Sequence, residues 1–239
     1  EHRIRPCVGA GYCIDRIYGE GEMLCLHNVA TTREKSVPHL VQKSDNQSKV
    51  VIIGAGPAGL EAARVCGERG HKVILIEAAS TLGGQVRLAS MAEVRKDLIG
   101  VIDWLESEIK HLNIEIRLQQ YADANHVINE DPDIVIIATG GIPDLEYIEG
   151  LEDCFSTWDV LSGQALLQNL GLLKESEPNT VLVYDDHGQH QAASTVIEIA
   201  KRGYQVELIT PDRHRAAEMG SSNFPMYMKN FKDYNVAVT

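Results

Sequence analysis

The segment Lys49–Glu77 has an apolar pattern that predicts strand, helix and strand. It contains a buried-strand run, a glycine turn, a helix with Ala and Leu on its face, and a second β-branched run that ends in an acid. Two parallel strands joined by a helix within about 30 residues form a βαβ unit. The pattern therefore predicts the start of a doubly wound α/β fold.

The following segments continue the alternation of helix and strand. Apolar residues recur at spacings of three and four from Met91 to Leu112, which is typical of an amphipathic helix. Short strand patterns follow at Ile114–Leu118 and at Ile134–Thr139. The second of these runs is continuous in Ile and Val, so we expect that strand to be covered on both faces.

A second unit of this kind begins at Thr180. The strand Thr180–Tyr184 is followed by a polar turn, a helix over Ala192–Arg202 and a strand over Gln205–Thr210. We therefore predict two doubly wound dinucleotide-binding domains rather than short repeats. The predicted division is a polar linker at residues 34–48, a first domain at residues 49–157 and a second, truncated domain at residues 158–239.

Composition and charge narrow the classes of function. The 239 residues carry a net charge of −12, with 22 Lys and Arg against 34 Asp and Glu, which argues against a nucleic-acid partner. No apolar run approaches the roughly 20 residues of a membrane span, and the start of the chain lacks a signal-peptide pattern. Five cysteines, an odd number, fit a reducing compartment better than a disulfide framework. We expect a cytoplasmic protein.

The glycine turn gives the clearest chemical signal. Gly54-Ala55-Gly56-Pro57-Ala58-Gly59 matches G-x-G-x-x-G directly after a strand and at a helix start. The first glycine permits the tight turn, the second lets a pyrophosphate approach the backbone, and the third lets helix and strand pack closely. Glu77 ends the next strand, where its carboxylate can accept hydrogen bonds from ribose hydroxyls. These features together predict a dinucleotide site.

The corresponding turn of the second unit lacks the glycines. Asp185, His187 and His190 occupy the three motif positions, and Asp186 adds a second carboxylate. Side chains would crowd a pyrophosphate there, and adjacent carboxylates would repel it. We therefore do not expect this unit to bind NAD(P)H in the usual way. The polar side chains fit a cap on a helix N-terminus or, as the alternative, a metal site.

Three of the five cysteines, Cys7, Cys13 and Cys25, lie in the first tenth of the chain. Their spacing, C-x5-C-x11-C, is odd for a disulfide pair and one cysteine short of a four-thiolate site. Thiols clustered at one end of a protein from a reducing compartment serve metals or catalysis more readily than disulfides.

Two sets of motifs resemble known families. G-A-G-P-A-G-L, with the downstream segments Leu82-Gly83-Gly84-Gln85 and Ala138-Thr139-Gly140-Gly141, resembles the FAD-binding domain of glutathione-reductase-like flavoproteins. The segment R-P-C-V-G-A-G-Y-C-I-D, followed by C-L-H-N-V-A-T-T-R-E and then by this glycine module, resembles the C-terminal part of the trimethylamine dehydrogenase and 2,4-dienoyl-CoA reductase family. This second resemblance covers essentially the whole chain.

The resemblance implies an architecture and a set of cofactors. In that family an FMN-binding (β/α)8 barrel precedes a loop whose four cysteines hold a [4Fe-4S] cluster. Two domains resembling the FAD and NADPH domains of glutathione reductase follow. The resemblance thus implies an iron–sulfur loop at residues 1–33 and FAD or ADP in the first domain. The implied nucleotide-binding residues are Gly54, Gly56, Pro57, Ala58, Gly59, Glu77, Gly84, Gln85, Ala138, Thr139 and Gly140, and the implied iron ligands are Cys7, Cys13 and Cys25.

The sequence departs from the family pattern in two ways. Ala10 falls where the family has its fourth cluster cysteine, and alanine cannot ligate iron. Either a three-thiolate cluster exists, as [3Fe-4S] or as [4Fe-4S] with another ligand, or the cluster is absent. No TIM barrel precedes Glu1, so we expect a fragment of a longer subunit whose missing barrel holds the FMN and the substrate pocket.

The variant second turn favours the amine-oxidising branch of the family. Our leading hypothesis is the electron-transfer and nucleotide-binding portion of an oxidoreductase that demethylates or deaminates a small amine and passes electrons to an electron-transferring flavoprotein. An NAD(P)H-dependent enoate or 2,4-dienoyl-CoA reductase is the alternative within the family. A nucleotide-binding structural module without a cluster is the alternative from another class. We predict no catalytic residue in this chain, and we expect a homo-oligomer or a complex with further subunits.

Overall fold

The computed structural model describes residues 3–145, 147, 149–150, 153–163 and 180–239. The chain divides into two compact units. The first consists of Glu1–Gly9, Leu24–Arg87 and Asp97–Ile142, and the second of Ala10–Met23, Leu88–Lys96 and Pro143–Thr239. The segment 1–33, predicted as a single loop, thus contributes to both units. Residues 164–179 of the predicted second domain lie outside the described residues.

The helices and strands follow each other along the chain in the alternation expected of doubly wound domains. None of the described helices combines the length and the apolar composition that crossing a membrane requires. In chain order the elements are α1 (Tyr12–Tyr18), β1 (Lys49–Ile53), α2 (Pro57–Glu68), β2 (Lys72–Ile76), α3 (Gly84–Ala89), a 3₁₀ helix (Glu93–Leu98), α4 (Ile99–Lys110), β3 (Glu115–Arg117), α5 (Ala124–Asn129), β4 (Ile134–Ile137), α6 (Thr157–Ser162), β5 (Thr180–Tyr184), α7 (His190–Lys201), β6 (Gln205–Ile209), α8 (Phe224–Asp233) and β7 (Ala237–Val238).

The first unit is built on a parallel sheet with the strand order β3-β2-β1-β4. Val50 pairs with Val73 of β2 on one side and with Ile134 of β4 on the other. Val51, Ile74 and Ile76 on one face of the sheet pack against Val127 of α5. Helix α2 packs against β1 and β2 and also against α4. The predicted βαβ unit and both predicted strands of this domain are confirmed, with shorter strand bounds.

The expectation that the strand beginning at Ile134 is covered on both faces is wrong for this structure. Ile134, Val135 and Ile137 are 46%, 42% and 75% exposed. The reason is the position of β4 at the edge of the sheet, where it is paired with β1 alone among the described strands. A continuous apolar run indicates that both faces of a strand are to be buried, but it does not indicate which segment of the protein packs on them.

The predicted amphipathic helix over Met91–Leu112 is a 3₁₀ helix followed by α4, which begins only at Ile99. Val101, Ile102, Leu105 and Ile109 are buried and form the apolar face of α4. Val94, which shares their sequence spacing, packs instead against the core of the second unit. The regular spacing of apolar residues therefore includes residues that pack in two different hydrophobic cores.

The second unit has a parallel sheet in the order β5-β6-β7. The predicted strand, helix and strand from Thr180 are confirmed as β5, α7 and β6. Helix α7 is the largest contributor to the core, because eight of its twelve residues are buried. Its buried apolar residues pack with Leu208 of β6 and with Tyr227 and Phe231 of α8.

A tryptophan in the first unit anchors the start of the chain. Trp104 of α4 is 7% exposed, and the Arg5 guanidinium carbon lies 4.2 Å from the centre of its ring. The His27 ring meets the same indole edge-on, with ring centres 5.3 Å apart. Arg5 also donates hydrogen bonds to the carbonyl oxygen of His27 and, at 2.9 Å, to Glu61 of α2. These contacts hold the segments around Cys7 and Cys25 against two helices of the nucleotide domain.

An ion pair between Arg3, whose side chain is 64% exposed, and the buried carboxylate of Glu108 extends this anchor. Arg3 donates three hydrogen bonds to that carboxylate, at 2.9, 3.2 and 2.6 Å, and the indole N–H of Trp104 donates to the Arg3 carbonyl oxygen at 3.2 Å. The hydrogen bonds from Arg3 hold the pKa of Glu108 below its ordinary value. Burial alone would raise the pKa of Glu61, but hydrogen bonds from Arg64 and Arg5 outweigh burial and lower it.

We predict that Arg5→Ala lowers the free energy of unfolding by about 2–3 kcal/mol, because it removes a desolvated cation–π contact and two hydrogen bonds. Urea unfolding of the variant and the parent protein measures the difference. Arg16→Ala is the matched control, since the Arg16 guanidinium lies 5.7 Å from the exposed ring of Tyr12. Its loss should stay below about 1 kcal/mol. Equal losses in the two variants would contradict the role assigned to Trp104.

Candidate functional site

The glycine turn of the first unit connects β1 to α2 through a close approach of three backbone segments. Gly54 has φ +96, and a Cβ atom there would lie 2.4 Å from the carbonyl oxygen of Ala138. A Cβ atom on Gly59 would lie 1.9 Å from the carbonyl oxygen of Gly54. The N–H of Gly54 donates to Ile76 of β2 at 2.8 Å. Gly54 and Gly59 are therefore required by the packing of the turn itself.

Gly56 differs from the other two glycines of the motif. A Cβ atom at Gly56 would meet nothing within 4 Å, and its backbone, with φ −70 and ψ −178, is extended. Gly56 is the N-cap of α2 and offers no side-chain acceptor to the first N–H groups of that helix, which have no partner within the helix. An open approach to a helix N-terminus suits an anionic group such as a pyrophosphate.

Glu77 lies directly after β2, beside this turn. Its Oε2 accepts a hydrogen bond from the N–H of Ala55 at 2.6 Å, and its Oε1 accepts from the N–H of Ala79 at 2.7 Å. These two bonds fix the carboxylate beside the turn. A carboxylate has about four acceptor positions, so two remain for the ribose hydroxyls that the sequence predicts. The hydrogen bond from Ala55 to Glu77 was not predicted, because the sequence motif describes only how Glu77 binds the ribose.

The two downstream glycine segments meet the turn. The N–H of Gly83 donates to the Ala55 carbonyl oxygen at 2.8 Å, and a Cβ atom on Gly84 would lie 3.1 Å from the Cα atom of Gly56. Gln85 donates from Nε2 to the Gly141 carbonyl oxygen at 2.8 Å. The first unit thus brings the three predicted motif segments to one end of its sheet; the residues concerned are Gly54, Gly56, Pro57, Ala58, Gly59, Glu77, Gly84, Gln85, Ala138, Thr139 and Gly140.

The shape of this turn fits the pyrophosphate of an adenine nucleotide. The turn is narrow where the protein packs on itself, and it is open at Gly56, where a phosphate would approach. Binding by these residues stays a prediction.

The second turn carries a hydrogen-bonded group of exposed side chains. Tyr147 donates to Asp186 Oδ2 at 2.6 Å, and His187 Nδ1 lies 2.9 Å from Asp186 Oδ1. The hydrogen bond to Asp186 raises the pKa of Tyr147 to about 12, and the same carboxylate raises the pKa of His187. His190 faces the other way and lies 3.3 Å from the Tyr227 hydroxyl, and burial lowers its pKa to about 4.

The structure supports neither of the two roles predicted for this turn, a helix cap and a metal site. The N-cap of α7 is Gln189, which makes no side-chain cap hydrogen bond, so none of the acidic residues caps the helix. No group of three His, Cys, Asp or Glu side chains in the described part of the chain could hold a metal ion, so the metal alternative has no support. The sequence reading also missed Asp212, although an acid shortly after the second strand of a βαβ unit is a recognisable signal.

The cysteines are divided between the units. Cys7 is exposed and Cys25 half-buried in the first unit, whereas Cys13 lies half-buried in α1 of the second. All three are free. The Ala10 carbonyl oxygen accepts a hydrogen bond from Asn223 at 2.9 Å, and Ala10 adds no side-chain ligand. Neither unit by itself assembles three ligands, so these residues do not display a formed iron–sulfur site, and the cluster stays a prediction.

The parallel sheet, the glycine turn and the acid after β2 define the class of dinucleotide-fold oxidoreductases. The model of the pyridine nucleotide-disulphide oxidoreductase family matches residues 48–183, and the chain belongs to that family. This match covers more than half of the chain, including the whole glycine turn.

Relatives extend the similarity over the full chain. A probable N-methylproline demethylase of Rhizobium meliloti (strain 1021) is 45% identical over 241 residues, covering 100% of this chain and 34% of its own length. A multifunctional alkene reductase/demethylase of Caballeronia cordobensis is 39% identical, covering 100% of this chain and 33% of its own length. The chain therefore spans about a third of the length of these relatives. Similarity to a probable N-methylproline demethylase confirms the predicted resemblance to the trimethylamine dehydrogenase and 2,4-dienoyl-CoA reductase family.

The fold is also that of a solved enzyme. Histamine dehydrogenase from Rhizobium sp. 4-9 superposes with a TM-score of 0.83 at 24% identity, over 99% of this chain and 35% of that one. At this identity the match shows the α/β fold, and it confirms the predicted architecture of the nucleotide-binding part.

We predict that Gly56→Val abolishes retention of an adenine nucleotide and leaves the fold intact, because the new side chain would fill only the open side of the turn. Nucleotide released on denaturation is quantified by chromatography, and thermal unfolding reports on the fold. Gly59→Ala is the comparison, since its Cβ atom would collide with Gly54 and should lower the stability itself. A folded Gly56→Val protein with its full nucleotide content would show that the nucleotide binds elsewhere.

Proposed function

We propose that this chain is the nucleotide-binding and electron-transfer portion of an FMN and iron–sulfur oxidoreductase that oxidises the C–N bond of an N-methylated or related amine. The observation that carries the proposal is the open glycine turn at Gly56, in a chain similar over its whole length to a probable N-methylproline demethylase. The electron acceptor in this proposal is an electron-transferring flavoprotein. The substrate pocket and the FMN belong to a barrel outside these 239 residues.

The first unit is proposed to hold FAD or ADP. Gly56 and the start of α2 would receive the pyrophosphate, and Glu77 would receive the ribose hydroxyls. Bound FAD would supply a two-electron carrier, whereas ADP would supply no redox chemistry. The protein's own contribution is the same in both cases: it positions the adenosine end of the ligand and neutralises the phosphates with backbone N–H groups.

The cysteine segment is proposed to hold an iron–sulfur cluster through Cys7, Cys13 and Cys25, as [3Fe-4S] or as [4Fe-4S] with a ligand other than cysteine. Such a cluster would carry single electrons. The chemistry of the donors supports this part of the proposal, because all three thiols are free and none of them is fully buried. The anchor at Trp104 also supports it, because Arg5 and His27 fix the chain beside Cys7 and Cys25. Free thiols also accord with the reducing cytoplasm as the location.

An enoate or dienoyl-CoA reductase remains the second candidate, because one relative is a multifunctional alkene reductase/demethylase. That activity would need a nicotinamide nucleotide as electron donor. The acidic side chains of Asp185 and Asp186 argue against such a donor at the second turn, because they would repel its phosphates.

Anaerobic half-reactions with the full-length enzyme test the direction of electron flow. The enzyme is reduced with N-methylproline or dimethylglycine and then mixed with an electron-transferring flavoprotein or with NADP⁺. We expect reoxidation by the flavoprotein and none by NADP⁺. Rapid, saturable reduction of the oxidised enzyme by NADPH would instead establish the reductase.

We predict that Cys13→Ser loses iron, acid-labile sulfide and visible absorption, because it removes one of three thiolates. The full-length protein is purified without oxygen, and its iron and sulfide contents are measured. Cys154→Ser is the matched control, since Cys154 is a free, exposed cysteine outside the predicted ligand set. An unchanged spectrum in Cys13→Ser would refute the ligand assignment. Absence of iron from the parent protein would instead indicate a structural nucleotide-binding module without a cluster.

A further inference from the structure

Asp185 occupies the first position of the second turn, and its side chain folds onto that turn. It follows β5 directly, and its N–H donates to the Ile209 carbonyl oxygen of β6 at 2.8 Å. Its Oδ1 accepts hydrogen bonds from the N–H groups of His187 at 3.2 Å and Gly188 at 3.0 Å. The residue is 2% exposed. The turn therefore encloses a carboxylate that bonds to its backbone amides.

The same position in the first unit is Gly54. Its N–H donates to the Ile76 carbonyl oxygen of β2 at 2.8 Å, as that of Asp185 does to β6. The two residues are thus equivalent in their sheets, each leaving the first strand of a βαβ unit. Gly54 has no side chain to place on its turn. Of the two positions that Asp185 bonds in the second turn, the first turn has the N–H of Gly56, which no described side chain accepts, and Pro57, which has no N–H. Asp185 supplies its own oxygen to the amides of the second turn.

The second turn is also covered by protein. Gly188 accepts a hydrogen bond from the Glu218 N–H at 2.9 Å. A Cβ atom on Gly188 would lie 2.8 Å from Asp212 Oδ2 and 3.1 Å from the backbone nitrogen of Ala217. Nearby Ala216 and Met219 are buried in the core of the unit. The segment between β6 and α8 thus covers the second turn at Gly188, while the position equivalent to Gly56 carries the exposed side chain of His187.

The acidic neighbours Asp186 and Asp212 also oppose a phosphate at this turn. Burial raises the pKa of Asp185, and these two carboxylates raise it further, because both effects disfavour another negative charge there. Oδ2 of Asp185 is buried and has no hydrogen-bond partner among the described residues. A nucleotide phosphate entering this turn would meet three acidic side chains and would find the amides of His187 and Gly188 already bonded.

We propose that the Asp185 carboxyl group is the internal acceptor of the second turn: it takes up the two amides that a nucleotide phosphate would otherwise approach, completes the turn without a ligand and excludes NADH and NADPH. The side chain reaches the amides two and three residues ahead, as aspartate does in local turns. The inference concerns the second unit alone and does not depend on the amine-oxidising function.

Rescue by an added anion tests the proposal in the full-length protein, with ADP present to fill the first unit's site. Thermal unfolding is measured for the parent, Asp185→Gly, Asp185→Asn and Asp186→Gly, with and without inorganic pyrophosphate at constant ionic strength. Asp185→Asn keeps an oxygen that can accept from both amides. Asp186→Gly is the matched control, because the Asp186 carboxylate contacts Tyr147 and His187 side chains.

Asp185→Gly should unfold about 3–8 °C below the parent, since two buried amides lose their acceptor, and millimolar pyrophosphate should recover at least half of that loss. The parent, Asp185→Asn and Asp186→Gly should not respond to pyrophosphate. A folded Asp185→Gly protein that pyrophosphate does not stabilise would overturn the proposal. If Asp185→Gly does not fold, titration of the ADP-saturated parent with NADPH decides: no binding supports the proposal, and saturable binding overturns it.

Discussion

The carbonyl oxygen of Gly54 lies so close to Gly59 that no side chain fits between them, and the first unit depends on this contact. It sets the angle at which α2 leaves the sheet, and Ala138 of the segment after β4 closes on the same point. These atoms are tightly packed, whereas a Cβ atom at Gly56 would meet nothing within 4 Å, so the described part of the chain leaves room for a ligand on the side of Gly56. The position of the ligand site therefore follows from the packing of strand, helix and strand.

The two units use one topology with opposite outcomes. In the first, the residue after the first strand is a glycine, the acid after the second strand bonds to the turn from outside, and the helix N-terminus is open. In the second, the residue after the first strand is Asp185, and the segment after the second strand lies across the turn. The backbone amides that this fold presents to an anion can thus donate either to a bound ligand or to a side chain of the protein itself.

Much of this could be predicted from the sequence because the signals were local. Glycines 54, 56 and 59, the acid at Glu77 and the helical face of α4 each lie within one βαβ unit or one helix, and the structure places them as expected. Contacts between distant segments could not be predicted in this way. Val94 fits the spacing of α4 but packs in the other core, and Ile137 is apolar but exposed at a sheet edge. At Asp185 the sequence indicated repulsion of a phosphate but gave no sign that the carboxylate would bond to its own turn.

The setting of Trp104 also affects its electronic properties. A guanidinium 4.2 Å from the indole centre, with that of Arg64 at 5.6 Å, places positive charge beside the ring. Such charge opposes removal of an electron from the indole, because the radical cation would be repelled at short range in a poorly screened interior. Glu61 pairs with both guanidiniums and Glu68 pairs with that of Arg64, so these carboxylates offset part of the charge. The ring that holds the segments around Cys7 and Cys25 against α2 and α4 therefore has an electrostatic environment set by the same arginines that hold it in place.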